Sequence, residues 1–558
     1  MKLPLSTHRH CVRLNTAATP RFRRRQGHIY IRRDSQPHMS GGEGDDREDF
    51  FRFTSGRWLW NEEERLRERY RPFNVDALKD IAVSVSGSQA CVKMCKLAEG
   101  GFNKVFRLTM DNDSTLIARI PNQTSETVSY SLASEVATMD FASKIMDIPV
   151  PTVLSWDQNT NNPVGSEYIL MSEARGRPLW SSWSSIDIDA KASIVSELVS
   201  IEKRLLSASF SQYGNIYFSA NRFADCKNIQ LLGSISPVLK AQAEENYVIG
   251  PVVEHSFWDG ERKQIHGVRG PWPTPQKYIR AICEREIAWL TRFADPNKTD
   301  DNAFAPAVER DPAVHISLQE KLLKAADYLL PSDVRLQNSV LWHWDLHAPN
   351  IFVQDGKITD IIDWQDCWAG PLILQARRPA LVDYQGEVLL RLPADFENIR
   401  DEEEKRSIRS KVEQSLVLFF YEDETKESNP ELTRVYQDIP HRQTICDAIT
   451  FAANTWDSDI IMLREHWNEI CPGKECPFQF TQEEVDAHIR DGQGWNETAD
   501  FWSSISGMVS RDGFVRTEDY DEALEMFAKL RERGLKTLEG EEREAFDKAT
   551  RWAETKFQ

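Results

Sequence analysis

The sequence predicts an α+β protein of two lobes, a small antiparallel sheet first and a larger, mainly helical body after it. Three observations predict this. Residues 85–174 read as β-β-β-α-β-β. From about residue 175 onward, apolar residues recur mostly at helical spacing. One stretch breaks that spacing, "IFVQDGKITDIIDW" at 351–364. It reads as two strands joined by Asp355-Gly356, the signal of a type I′ hairpin.

The elements follow in chain order. Residues 1–33 hold nine basic residues and no acidic one, with hydroxyls at Ser6, Thr7, Thr16 and Thr19. That profile predicts a mitochondrial presequence, and it lacks the apolar core of a secretory signal. The alternative is a disordered basic tail, or a nuclear signal built on "RFRRR". Pro4 and Pro20 confine any import helix to the stretch between them. Residues 34–48 read as a polar linker. Order is expected from "FFRFTSGRWLWNEEERLRERYRPFNV", whose aromatic density predicts a packed collar. "NVDALKDIAV" predicts a short helix capped by Asn74.

The first lobe, 49–174 with its collar, takes three strands from "QACVKMCKLAEGGFNKVFRLTMDNDSTLIARIP". The helix is "SETVSYSLASEVATMDFASKI", and two more strands are "IPVPTVLSWD" and "SEYILMSEA". Residues 175–394 form the helical lobe, with a Trp- and Pro-rich insertion at 255–310. That insertion is either a lid, an interaction surface or a structural brace. Residues 395–558 are charged and helical, and are expected to pack on the helical lobe as an extension.

A chain of 558 residues exceeds what one core organises. It is 41% hydrophobic and 28% charged, the composition of a soluble globular protein. The sequence contains no run of 18 apolar residues, so no membrane span is expected. The net charge of −19 becomes −28 without the basic leader, which argues against nucleic acid as the partner. Nine scattered cysteines, an odd count without any C-x-x-C pair, argue against a disulfide framework. Cys471 and Cys476 read as loop thiols rather than metal ligands.

The chemistry concentrates in "HWDLHAPNIFV" at 343–353. Phosphoryl transfer needs positioning, a divalent metal across the phosphates and a carboxylate near the attacking hydroxyl. Asp345, on a loop before a strand, can accept the acceptor's proton. Asn350 offers a carbonyl oxygen to magnesium, and Asp363, ending the second strand, places a carboxylate on the same ion. The hairpin carries both to one end. His343 is expected to brace the loop by hydrogen bonding. The order of elements around this loop predicts a kinase-like fold.

"HWDLHAPNIFV" followed by "ITDIIDWQ" resembles the aminoglycoside phosphotransferase (choline kinase-like) family. "EGGFNKVFRL", "IPVPTVLSWD", "EYILMSEARGRPL" and "FSQYGNIYF" extend the resemblance over about residues 85–380. The collar and "CWAGPLILQARRPALVDYQGE" widen it to a group of fungal mitochondrial proteins. The resemblance implies a bilobal protein-kinase-like fold that takes ATP and Mg2+. It implies Asp345 as catalytic base beside His343, Asn350 and Asp363 as magnesium ligands, and Gly100 and Gly101 over the ATP phosphates. The kinase lysine of the third strand aligns with Arg119, and Glu135 on the next helix would be its partner. Leu170 to Ala174 would be the hinge, with Ser172 and Ala174 beside the adenine. Arg119 departs from the protein-kinase pattern, and "DFG" is missing, because Trp364 and Gln365 follow Asp363. The "HWD" loop and the missing "DFG" point toward a small hydroxyl-bearing acceptor rather than a protein. The rival reading is a kinase-fold nucleotide-binding protein without turnover, acting as a scaffold.

Overall fold

The computed structural model describes residues 47–122, 126–267, 269–295, 311–452, 458–489, 501–502, 504–505 and 507–554. The expected presequence and nearly all of the linker lie outside the described residues, as does part of the insertion.

The first lobe carries helix α1 (Val75–Ser86), strands β1 (Cys91–Glu99), β2 (Asn103–Met110) and β3 (Thr115–Pro121), helix α2 (Glu126–Lys144), and strands β4 (Val153–Asp157) and β5 (Tyr168–Ser172). The five strands form one antiparallel sheet in the order β1-β2-β3-β5-β4. Alternation along each strand decides the faces. Phe106, Leu108, Met110, Leu116, Ala118, Ile120, Tyr168 and Leu170 bury on the outer face with α1 and Phe73. Ile117, Ile169 and Met171 point the other way, into the main core that α2 shares with the second lobe. Arg119 lies between Ile117 and Pro121 on this inner face. Asn74 Oδ1 accepts from Ala77 N at 3.1 Å, so the expected cap of α1 is present.

The second lobe contains α3 (Ile188–Ser207), α4 (Pro275–Phe293), α5 (Pro312–Ala325) and the hairpin β6 (Ile351–Gln354) and β7 (Lys357–Ile361). Asp355 (φ 52°) and Gly356 (φ 75°) are both left-handed, as a type I′ turn requires. The hairpin is tied to the first lobe: Ile361 N donates to Pro149 O at 2.9 Å. The Arg175 backbone N–H donates to Asp360 Oδ2 at 2.7 Å. Next to it, Gly176 has φ +83°, and a Cβ there would sit 2.4 Å from Val353 O. Only glycine fits between the linker and β6.

The described part of the insertion is built into the second lobe. Phe257, Trp258, Trp272 and Tyr278 share a core with Leu322, Trp368 and Ile449.

The C-terminal extension divides in two, and this corrects the expectation that all of it packs on the helical lobe. Helix α6 (Glu402–Ser428) lies along α3, where the Tyr421 hydroxyl donates to Glu202 at 3.1 Å. The last segment goes elsewhere. Phe514–Arg516 pairs antiparallel with Gly56–Trp58 of the collar. Around that pairing, Trp60 packs with Trp502, with Trp552 and with Phe527 of α7 (Tyr520–Thr537). The collar strand has an edge to pair and a Trp-rich face to cover, and the C-terminal segment covers both.

Candidate active site

The loop at 343–350 leaves the strand Ser339–Leu341 and enters β6. His343 is buried beneath it and meets the Trp364 ring edge-on at 4.8 Å. Its Nδ1 accepts the Asp345 N–H at 3.3 Å, so Nε2 carries the proton and donates to Ile362 O at 3.0 Å. Burial above all holds this imidazole down, to about 4, and it is neutral at physiological pH. His343 therefore braces the loop, as expected, and joins it to the residue before Asp363.

Asn350 is buried at the start of β6, and its Nδ2 donates to Asp345 O at 3.1 Å and Asp345 Oδ2 at 3.3 Å. With Nδ2 so engaged, the amide oxygen remains as the acceptor, the kind of group a magnesium ion takes. His347 Nε2 lies 3.1 Å from Asp345 Oδ2. Asp363 follows β7 with φ 64°, and Asp366 has φ 60°. Two non-glycine residues in the left-handed region within four positions mark a backbone held by its surroundings. Burial pushes the Asp363 carboxyl up to about 7; Arg119 opposes this, while Glu135, Asp345 and Asp366 add to it. A buried carboxylate among three others, near an amide whose nitrogen is already engaged, fits a divalent cation.

Arg119 and Glu135 meet as an ion pair across β3 and α2, both buried. Burial works against the Arg119 charge, but Glu135 and then Asp363 raise the guanidinium above its ordinary value. Burial likewise raises the Glu135 carboxyl against the pull of Arg119. The pairing expected from the third strand and the following helix is thus present.

Gly100 and Gly101 form the turn between β1 and β2. Gly100 N donates to Asn103 O at 2.9 Å, and Gly100 O accepts from Asn122 Nδ2 at 2.8 Å. Behind the turn, Glu99 is buried and accepts from Thr54 N at 2.7 Å and Ser55 N at 3.2 Å. The collar therefore grips the stem of the glycine turn. Ser172 pairs with Leu116 in the sheet, and its Oγ accepts from Thr152 N at 2.9 Å. Its hydroxyl is thus turned toward β4, and Ala174 follows in the linker between the lobes. A polar cavity of about 720 Å³ opens there, lined by Ser172, Glu173, Arg175, Glu197, Arg204 and Asp360. It does not include Asp345, Asn350 or Asp363.

The sequence reasoning assigned no role to several residues that tie the site together. Gln365 Oε1 accepts from Asn103 Nδ2 at 2.8 Å and from Arg119 at 3.0 Å. The Phe102 ring stacks on His255 at 4.9 Å. Gln365 stands in the "IIDWQ" motif and carried a signal. Phe102 and His255 are 153 positions apart, and nothing local links them.

Residues 94–374, half of the chain, match the Phosphotransferase enzyme family. The chain belongs to this family. A relative called Subtelomeric hrmA-associated cluster protein, from Aspergillus fumigatus, is 30% identical over 488 residues, which is 79% of this chain and 92% of that protein. Altered inheritance of mitochondria protein 9, mitochondrial, is 26% identical in Yarrowia lipolytica over 81% of this chain and 83% of that protein. In Saccharomyces cerevisiae it is 23% identical over 84% and 87%. Among solved structures, an aminoglycoside phosphotransferase in ternary complex with ADP and hygromycin B covers 76% of this chain and 97% of its own. It does so at 12% identity and a TM-score of 0.34. With so loose a superposition, the kinase-like assignment stands on the family match and on the element order described above. This phosphotransferase-family chain thus bears out the resemblance carried by "HWDLHAPNIFV" and "IIDWQ".

Proposed function

We propose that this chain is a mitochondrial phosphotransferase that moves the γ-phosphate of ATP to a small hydroxyl-bearing molecule. One observation carries the reading: a single hairpin brings Asp345, Asn350 and Asp363 together, opposite the buried Arg119–Glu135 pair. In this reading Asp345 accepts the acceptor's proton, and His343 holds its loop. Asn350 and Asp363 would hold Mg2+, whose chemistry is to neutralise charge on the phosphates. Arg119 orients phosphate oxygens, Gly100 and Gly101 cover them, and Ser172 and Ala174 flank the adenine. The acceptor is a small molecule rather than nucleic acid, given the net charge of −19. Among the described residues no helix is long and apolar enough to cross a membrane. The acid-free basic stretch at 1–33 and the mitochondrial names of two relatives support the location.

The test is a thermal-shift and calorimetric titration of the chain from residue 40 with ATP and Mg2+, then an acceptor screen by phosphorus NMR with Asp345→Ala as blank. Acceptor-dependent ATP loss that vanishes in Asp345→Ala is the expected result. A second reading is a nucleotide-binding scaffold without turnover. It is favoured by Arg119 at the lysine position and by the Asn103–Gln365 contact that pins the glycine turn. It predicts Mg·ATP stabilisation without acceptor-dependent loss of ATP.

A further inference from the structure

The insertion places one residue under the glycine turn. The strand Tyr247–Gly250 runs into a buried segment, Val252 and Val253, and then into the helical turn His255–Phe257. The His255 ring stacks on Phe102 with an interplanar angle of 24°. Phe102 directly follows Gly100 and Gly101. His255 Nε2 is buried and makes no hydrogen bond; the nearest carboxylate oxygen, on Asp366, is 3.5 Å away. On the other side Nδ1 is 3.4 Å from Asp259.

His255 is not there by accident of a loose loop. Asn215 is buried, and its Nδ2 donates to Cys367 O at 3.0 Å while its Oδ1 accepts from Val253 N at 3.2 Å. One side chain thus keys the insertion to the residue beside Asp366. Trp258 Nε1 donates back to Val252 O at 2.8 Å, closing the turn that presents His255.

We propose that His255 is a phosphate-binding residue of the nucleotide site, contributed by the insertion. This inference rests on the ATP-dependent reading above. The His255 side chain is 40% exposed and its Nε2 meets Asp366 only at 3.5 Å, without hydrogen-bond geometry, so this N–H can take a better-placed acceptor. A phosphate oxygen beneath the glycine turn is such an acceptor, and a charge-assisted bond to it is stronger than a neutral one. Arg119 is already committed to Glu135 and Gln365. Its guanidinium alone leaves part of the triphosphate charge unanswered. Burial disfavours the His255 charge, yet Asp259 and Asp366 raise the ring to about 10, which keeps it a double donor. Its contacts to both carboxylates, at 3.4 and 3.5 Å, are longer than a good hydrogen bond, so a phosphate oxygen can compete for the same N–H groups.

The experiment compares full-chain His255→Ala, His255→Gln and His255→Arg with wild type, titrating Mg·ATP and adenosine by calorimetry. His255→Ala should weaken Mg·ATP about tenfold, the scale of one hydrogen bond to a charged group. Adenosine binding should be unchanged, and His255→Arg should recover most of the ATP affinity. Unchanged ATP binding in His255→Ala and His255→Gln overturns the inference. Equal loss of ATP and adenosine also overturns it, because that marks a structural brace of the turn. Failure of wild type to bind Mg·ATP defeats the proposed function first, and this inference with it.

Discussion

His343 donates from Nε2 to the carbonyl of Ile362 at 3.0 Å, and so couples the loop of Asp345 to the strand end that bears Asp363. The coupling works because the ring is buried and neutral. Its pKa is about 4 in the fold against 6.5 ordinarily, so the unfolded chain binds the extra proton between these values. The native state is therefore favoured above about pH 6.5, and that advantage is lost as pH falls toward 4, by about 3 kcal/mol in all. The buried Asp363 carboxyl contributes the opposite slope over the same range, so the His343 part is read as the difference between wild type and His343→Gln in urea unfolding at pH 5 and pH 7.5. Wild type should lose stability relative to His343→Gln as pH falls.

Asp345 sits within reach of Asn350 Nδ2 and His347 Nε2, which fix its carboxylate. Asp345→Asn should leave Mg·ATP affinity within about threefold of wild type, because no phosphate contact is removed. Single-turnover transfer to any acceptor found in the screen should fall by about 10²–10⁴-fold. Retention of full transfer would remove Asp345 from the role of base.

Asp363 is buried facing Asp345, Asp366 and Glu135, with Arg119 as the opposing charge. Asp363→Asn relieves that crowding. It should stabilise the nucleotide-free chain by roughly 1–3 kcal/mol at pH 8. The same variant should lose the magnesium-dependent part of the ATP thermal shift. A variant less stable than wild type that still responds to magnesium would contradict the metal assignment.

Arg119 and Glu135 form a buried pair, so the two cannot be removed independently. Arg119→Ala strands a buried carboxylate and should cost about 3–5 kcal/mol. Arg119→Met with Glu135→Leu should recover much of that stability but not nucleotide affinity. A double-mutant cycle by urea unfolding checks the coupling.

Phe527 of α7 is fully buried and contacts Trp60, Trp502 and Trp552. Phe527→Ala should destabilise the chain by about 3–5 kcal/mol. Because the collar also holds Glu99 behind the glycine turn, the same variant should weaken Mg·ATP binding. Hydrogen exchange across residues 54–60 and 96–104 would show both ends loosening together.

Much of this protein was legible in one dimension. Strand alternation in "NKVFRLTM" and "LIARIP" is a period-2 signal, and each residue's face follows from it without tertiary information. Asp355-Gly356 determined its own turn, since both positions need positive φ and these residue types supply it. Asn350 and Asp363 flank one hairpin, so local register carries them to one end, and Asp345 stands five residues before Asn350 on the loop that enters it. Arg119 and Glu135 were found because a strand and the next helix in a kinase-like lobe have a fixed relation.

What only the tertiary structure decided lies at long sequence separation. Pairing of Gly56–Trp58 with Phe514–Arg516 spans most of the chain. An edge strand offers the same backbone groups to any partner, so no local pattern names which one it takes. His255 beneath Phe102 is the same case, because an insertion's side chain acquires a role only from what its scaffold brings near. Periodicity and turn chemistry are properties of neighbours in sequence. The contacts that complete this site belong to surfaces, and packing alone brings surfaces together.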